Sequence, residues 1–271
     1  MVTPLFALMG PNFTRLDLVI AIEVAFWIFV PLCFVAVATY AVTQIQQGRL
    51  LINENSPLPL KPNPLIACLF IIGIFEMIFV QSPLYMMLVP IAMAGFLLET
   101  RRTADEQFGL RRLSTLQLLA WGLMICGAII LVEVPLMDAT ARLLSALHVP
   151  HPEQPAVERF RQLSDTSDIL WVLIQAAVLA PLIEELFFRG FLLTFLRNYT
   201  STWMALVLSA GVFAFAHSNL GSAIPLWFLG IVLGIAYQNS GSLLLPMYIH
   251  GCFNLITAFN LLLMKATPSG P

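Results

Sequence analysis

Pro181-Leu-Ile-Glu-Glu-Leu-Phe-Phe-Arg-Gly190 lies within residues 169–196, a run that is otherwise almost wholly apolar and long enough to cross a membrane. An Asp, Lys or Arg at the centre of an inserted helix costs about 2.5–3.5 kcal/mol. Glu184, Glu185 and Arg189 together therefore carry a large gross penalty that pairing only partly offsets. Such a cluster marks a site more often than a structural accident.

Around this stretch the chain reads as a polytopic membrane protein. Its 271 residues are 59% hydrophobic and only 10% charged, with a mean hydropathy of +0.88, against about 25% charged in soluble domains. A formal charge of -2 and scattered Lys and Arg leave no basic surface for nucleic acid. Cys33, Cys68, Cys126 and Cys252 fall in separate apolar runs without CxxC spacing, so they read as reduced packing thiols. The first apolar run, 18–42, is longer than a signal-peptide core and no A-x-A site follows it. It reads as a retained membrane helix.

Partition at polar, Pro and Gly interruptions gives eight runs at 18–42, 64–81, 83–99, 115–137, 168–196, 203–218, 222–239 and 242–264. The expected fold is an all-α polytopic bundle of about eight membrane helices around a polar intramembrane cavity. Its parts are N-terminal helices over 1–137, a connection over 138–167, motif-bearing helices over 168–264 and a tail over 265–271. Within the connection, Val157-Glu-Arg-Phe-Arg-Gln-Leu163 reads slightly better as a solvated link than as an interfacial helix.

Arg49, Lys61, Arg101, Arg102, Arg111, Arg112 and Arg197 fall on one side of the eight-span scheme, and Arg15, Arg142, Arg159, Arg161 and Lys265 on the other. The positive-inside rule then puts the 44–63 and 101–114 connections in the cytoplasm and both termini outside. Glu23, Glu76 and Glu133 all come near the outer ends of their helices, where interfacial solvation accounts for them.

Two further polar features follow the Glu-Glu-Arg cluster: Phe213-Ala-Phe-Ala-His217 and His250-Gly-Cys-Phe-Asn254. His250 and Asn254 share a helix face at i,i+4, as do Glu185 and Arg189, the latter in the favourable acid-before-base order. Counted from the cytoplasmic ends at 1.5 Å per residue, Glu184 lies roughly 18 Å deep, His217 roughly 21 Å and His250 roughly 12 Å. Polar groups from three helices can thus meet in one hydrated cavity. There a Glu can take a proton from water, a neutral His217 can orient that water, and the His250 ring N–H with the Asn254 amide can stabilise an oxyanion. Water-driven amide hydrolysis needs those three functions.

In this order, Glu184-Glu185-x-x-x-Arg189, Phe213-x-x-x-His217 and His250-x-x-x-Asn254 resemble the signature motifs of the CAAX protease and bacteriocin-processing enzyme family, which includes the Ras-converting CAAX prenyl endopeptidase. The resemblance covers about 168–264. It implies an all-helical membrane bundle with a cavity open to the cytosol and a glutamate-type intramembrane endopeptidase activity. It further implies that Glu184 and His217 activate water, that His250 and Asn254 form the oxyanion side, and that Glu185 and Arg189 support them. The expected partners are the bilayer and a membrane-associated peptide or protein substrate, prenylated or not. If the chain is bacterial, its place is the plasma membrane.

Other designs stay in view. The chain lacks His-Glu-x-x-His, Gly-x-Gly-Asp and Gly-x-Ser-x-Gly, and Ser218 adjoins His217 without sharing its helix face. Expected cofactors are none, with zinc on Glu184, His217 and His250 as the rival, disfavoured by the nearby Arg189 charge. A proton-coupled transporter or a non-catalytic immunity protein can also use such a cluster, though no repeat of the transporter kind is evident. Gly211, Gly230, Gly234 and Gly251 read as close helix contacts.

Overall fold

A computed structural model describes residues 62, 64–76, 84–150 and 154–266; the run at 18–42, with Glu23 and Cys33, lies outside them. The described residues are helical and include no strand. The helices are α1 (Pro64–Phe75), α2 (Tyr85–Thr100), α3 (Ala104–Phe108), α4 (Thr115–Ala146), α5 (Pro155–Gln162), α6 (Thr166–Leu196), α7 (Thr202–Ala216), α8 (Leu220–Ser240) and α9 (Leu244–Ala266). Four are long and apolar enough to cross a membrane: α4, α6, α8 and α9 over Leu244–Lys265. The chain is an integral membrane protein. Helices α2 and α7 are apolar but shorter, so the described residues give four long spans where the sequence partition set seven runs.

The differences from the expected boundaries have local causes. Helix α4 runs past 137 to Ala146, because the Asp138-to-Arg142 pair at 2.9 Å lets the helix continue beyond its apolar stretch. The 157–163 segment is helical rather than a plain link: Pro155 occupies the first turn, where its missing N–H is not needed, and Glu158 lies near the positive end. Glu133 is buried at 4% exposure, and its Oε1 has no hydrogen-bond partner, which corrects the expectation of interfacial solvation. Helix α4 packs on α8 and α9, and this residue turns inward.

Polar caps secure the ends. Thr103 and Glu106, then Ser114 and Gln117, form reciprocal capping boxes that start α3 and α4. The Thr103 backbone N–H and hydroxyl hold the Glu106 carboxyl below its ordinary value. At the same end the Leu243 N–H donates to the Phe108 carbonyl at 2.9 Å, tying the α8–α9 turn to α3. At the opposite end Gln154 Nε2 donates to Ser222 Oγ at 2.7 Å, and Lys265 Nζ to the Leu163 carbonyl.

Small residues set the helix spacing at particular points. A Cβ on Gly230 would come within 2.9 Å of Ala210 Cβ and one on Gly234 within 2.5 Å of Leu206 Cδ2, so this pair seats α8 on α7. Gly211 has only Trp227 Nε1 at 3.9 Å and marks no close approach. A Cβ on Gly251 would meet the Ala177 carbonyl at 2.4 Å, and backbone cannot swing aside. Gly251→Ala should therefore cost about 1–3 kcal/mol by overpacking. Denaturant titration in detergent checks it, and a wild-type midpoint would show that α9 shifts at no cost. Of the described thiols, all free, Cys126 is buried, Cys252 is intermediate and Cys68 is exposed.

Candidate active site

Helix α6 is not a regular α-helix. Two π-helical stretches, Gln175–Leu179 and Leu186–Leu193, bracket the short α-helical piece Ala180–Glu185 that carries both glutamates. Pro181 explains the first. Lacking an N–H, it cannot serve the carbonyls four and five residues back, Ala177 and Ala176. The Ala180 N–H reaches back five residues to the Gln175 carbonyl. Asn254 Nδ2 donates to the Ala176 carbonyl at 2.9 Å, and the Ala177 carbonyl faces Gly251. The second stretch is satisfied from outside as well, with Ser209 Oγ donating to the Phe188 carbonyl at 3.1 Å and Thr194 Oγ1 to that of Gly190 at 2.7 Å. Bulges of this kind re-aim side chains, here around Glu184 and Glu185.

Glu185 and Arg189 are fully enclosed, at 0% and 1% exposure. Arg189 Nη1 donates to Glu185 Oε1 at 2.7 Å and Nη2 to the Gly230 carbonyl at 3.0 Å, while its guanidinium lies 4.7 Å from the Phe213 ring centre. His250 Nδ1 shares Glu185 Oε1 at 2.8 Å. Beside a guanidinium that oxygen is an acceptor, so His250 carries its proton on Nδ1 and turns Nε2 the other way.

His217 obeys the same logic. Helix α7 has 15 residues, about 22 Å against a hydrocarbon core of about 30 Å, so it is too short to cross. It ends at His217, and Ser218 then turns left-handed at φ 49°. His217 Nδ1 lies 2.8 Å from the Phe213 carbonyl, an acceptor freed at the helix end. Nδ1 therefore carries a proton, and Nε2 points away from it toward α6.

Both Nε2 atoms face one carboxylate oxygen. Glu184 Oε2 lies 4.0 Å from His217 Nε2 and 3.9 Å from His250 Nε2, is buried, and has no hydrogen-bond partner among the described residues. Three acceptors from α6, α7 and α9 thus converge, and a small hydrogen-bond donor fits between them. Two hydrogen bonds of about 2.8 Å from one water, opened to about 90°, span such a gap. The Phe213 ring packs against both imidazoles, at 4.8 and 5.7 Å between ring centres, and fixes their planes.

Residues 166–256 match the family model described as type II CAAX prenyl endopeptidase Rce1-like. The matched region, about a third of the chain, is similar to that family. The matched residues begin with α6 and end within α9, so they include Glu184, Glu185, Arg189, His217, His250 and Asn254. Over 104 residues the chain is 33% identical to an Escherichia coli protein described as an uncharacterized 24.3 kDa protein, covering 36% of this chain and 48% of the relative. The chain thus spans about half the length of that curated relative. No solved structure matches the chain.

Of the six sequence-nominated residues, the structure brings Arg189, His217 and His250 around Glu184 and Glu185, while Asn254 commits one N–H to the π-helical turn before them. Sequence reasoning named Phe213 only as part of the His217 motif. It missed the Phe213 carbonyl as the His217 acceptor, the Gly230 carbonyl as the Arg189 acceptor, and the pairing of Pro181 with Asn254. The proline inside an apolar run was the legible signal for the last of these.

Proposed function

We propose that the protein is a multi-pass intramembrane endopeptidase that cleaves a peptide bond near the C-terminus of a membrane-associated peptide or protein. The observation that carries this reading is the convergence of Glu184 Oε2 with the Nε2 atoms of His217 and His250. Water held there gives one proton to Glu184 while its oxygen forms a bond to the substrate carbonyl carbon. His217 accepts the second hydrogen bond and sets the line of attack. The carbonyl electron pair moves onto oxygen, making a tetrahedral oxyanion. Glu184 then returns the proton to the amide nitrogen as the C–N bond breaks, leaving a carboxyl and an amine.

Glu185 holds the His250 tautomer and Arg189 balances its charge, so both act through another group. The second N–H of Asn254 is the donor on the oxyanion side, and His250, its Nδ1 proton committed to Glu185, lines that side and positions it. The family description supports a prenylated CAAX-type substrate. The arginine bias supports a hydrated cavity open to the cytoplasm, in the plasma membrane if the source is bacterial.

Zinc on Glu184, His217 and His250 is the second reading, because three lone pairs on one point are also a metal donor set in kind. Ligand atoms on tetrahedral zinc stand about 3.3 Å apart, and the 3.9–4.0 Å separations suit a bridging water better. When bound, zinc would polarise the water. The deciding measurement is chelation of purified, metal-analysed protein: activity should persist, and loss restored by zinc alone would establish the metal version.

Membranes expressing wild type and Glu184→Ala should differ in their processed C-termini and released peptides, and the difference names the substrate. Identical profiles would instead support an immunity-type or transport role.

A further inference from the structure

Helix α6 carries a buried proline, Pro181, in the middle of its span, one turn before Glu184. A proline inside a helical run removes one backbone donor. Where that loss falls can be traced. A carbonyl in this stretch can accept from the N–H four or five residues on. For Ala176 these are residue 180, whose N–H goes to the Gln175 carbonyl, and residue 181, the proline, which has none. The Ala176 carbonyl therefore has no donor within its own helix, and α9 supplies one, Asn254 Nδ2 at 2.9 Å.

The consequence reaches the oxyanion side. An amide is planar and holds its two N–H bonds in fixed directions, so fixing one on Ala176 fixes the other. Both polar residues of the α9 motif are thus anchored on α6, Asn254 on Ala176 and His250 on Glu185 at 2.8 Å. The two anchors bracket the short piece Ala180–Glu185 that carries Glu184. Gly251, between them in the chain, lets the α9 backbone close on the Ala177 carbonyl at the same turn of α6.

We propose that Pro181 is a positioning residue of this site: by denying the Ala176 carbonyl a donor in α6 it reserves that carbonyl for Asn254, and so aims the second Asn254 N–H at the oxyanion of the tetrahedral intermediate. The inference rests on the endopeptidase reading and deepens it. Pro181 touches no reacting atom and moves no proton. Pro181→Ala restores the missing donor. The N–H groups of residues 180 and 181 can then serve Ala176 and Ala177 in ordinary α register, which winds up the π-helical turn and draws the Ala176 carbonyl along the helix axis, away from α9. Alanine is the better helix former, so the variant should fold.

Purified wild type, Pro181→Ala, Asn254→Ala, Pro181→Ala/Asn254→Ala and Glu184→Gln would be assayed on a farnesylated CAAX peptide and on its unprenylated counterpart. Expected is a fall in kcat of about 10²–10³ for Asn254→Ala, the size found when one oxyanion donor is removed. Pro181→Ala should lose about 10–10² in kcat, the cost of a misplaced group, with KM within about twofold. The double variant should lie within about threefold of Asn254→Ala, because the proline acts only through the amide. A phosphonate analogue of the same peptide, whose tetrahedral oxygens stand in for the oxyanion, should bind Pro181→Ala at least about tenfold more weakly than wild type, and the double variant as it binds Asn254→Ala. A proline that matters only for packing α6 would lower kcat by the same factor with or without Asn254, and that result overturns the assignment. Wild-type kcat in Pro181→Ala, with Glu184→Gln inactive, overturns it and leaves the endopeptidase reading standing. A wild type inert on both peptides rejects the two together.

Discussion

Glu184→Gln should lower kcat by about 10²–10⁴ while leaving substrate affinity nearly unchanged, and Glu185→Gln should fall well short of that. The two residues are adjacent and chemically identical, and only their surroundings separate them. Glu185 Oε1 is occupied by Arg189 at 2.7 Å and by His250 at 2.8 Å. Its Oε2 has no partner among the described residues either, but the residue is at 0% exposure and is the counter-ion of Arg189, whereas the two imidazole Nε2 atoms lie against Glu184. A glutamine there keeps an oxygen that can accept from both. Glu184 Oε2 accepts from no described residue and faces two imidazole nitrogens. Glutamine at 184 keeps the shape but cannot take a proton from water, so the loss belongs to the transition state and appears in kcat. Adding His217→Ala to Glu184→Gln should cost little more than the worse single change, because residues acting as one unit are not additive. Steady-state kinetics on a cleavable peptide measure this, and a Glu184→Gln protein within tenfold of wild type would remove the general base.

Stability should rank the pair in the reverse order. Arg189→Met strips the counter-ion from an enclosed carboxylate, and breaking a buried pair by removing one partner costs about 3–5 kcal/mol. It also leaves the Gly230 carbonyl without its donor and empties the space beside Phe213. The double change Glu185→Leu/Arg189→Met should recover much of the loss, since an apolar pair of similar volume often matches a buried ion pair. Equilibrium unfolding in mixed micelles gives the coupling energy. Arg189→Met within 1 kcal/mol of wild type would mean that water or another base reaches Glu185. Because His250 also rests on Glu185, the double variant should regain stability without regaining activity.

The motif spacing made much of this legible. Glu185 and Arg189 at i,i+4 could be paired from sequence because helical geometry fixes that contact, and the hydropathy of the runs assigned an all-helical membrane protein. The burial of Glu133 and the helix at Pro155–Gln162 escaped, since which face of α4 turns inward depends on α8 and α9, which a polarity count does not contain. Asn254 was legible as a polar residue on the His250 face. Its partner was not, because that partner is a backbone carbonyl released by Pro181 on a different helix.

By itself the sequence determined the chemistry available: which groups are acids, bases and donors, that they sit in apolar runs, and which share a helix face. Only the packing of α6, α7 and α9 decided that Glu184 rather than Glu185 stands open, and that both imidazoles present Nε2. His217 is oriented locally, by the Phe213 carbonyl of its own helix. The choice of Glu184 and the orientation of His250 follow from a hydrogen bond between helices, whose partners are far apart along the chain and come within 3 Å only when the helices close on one another.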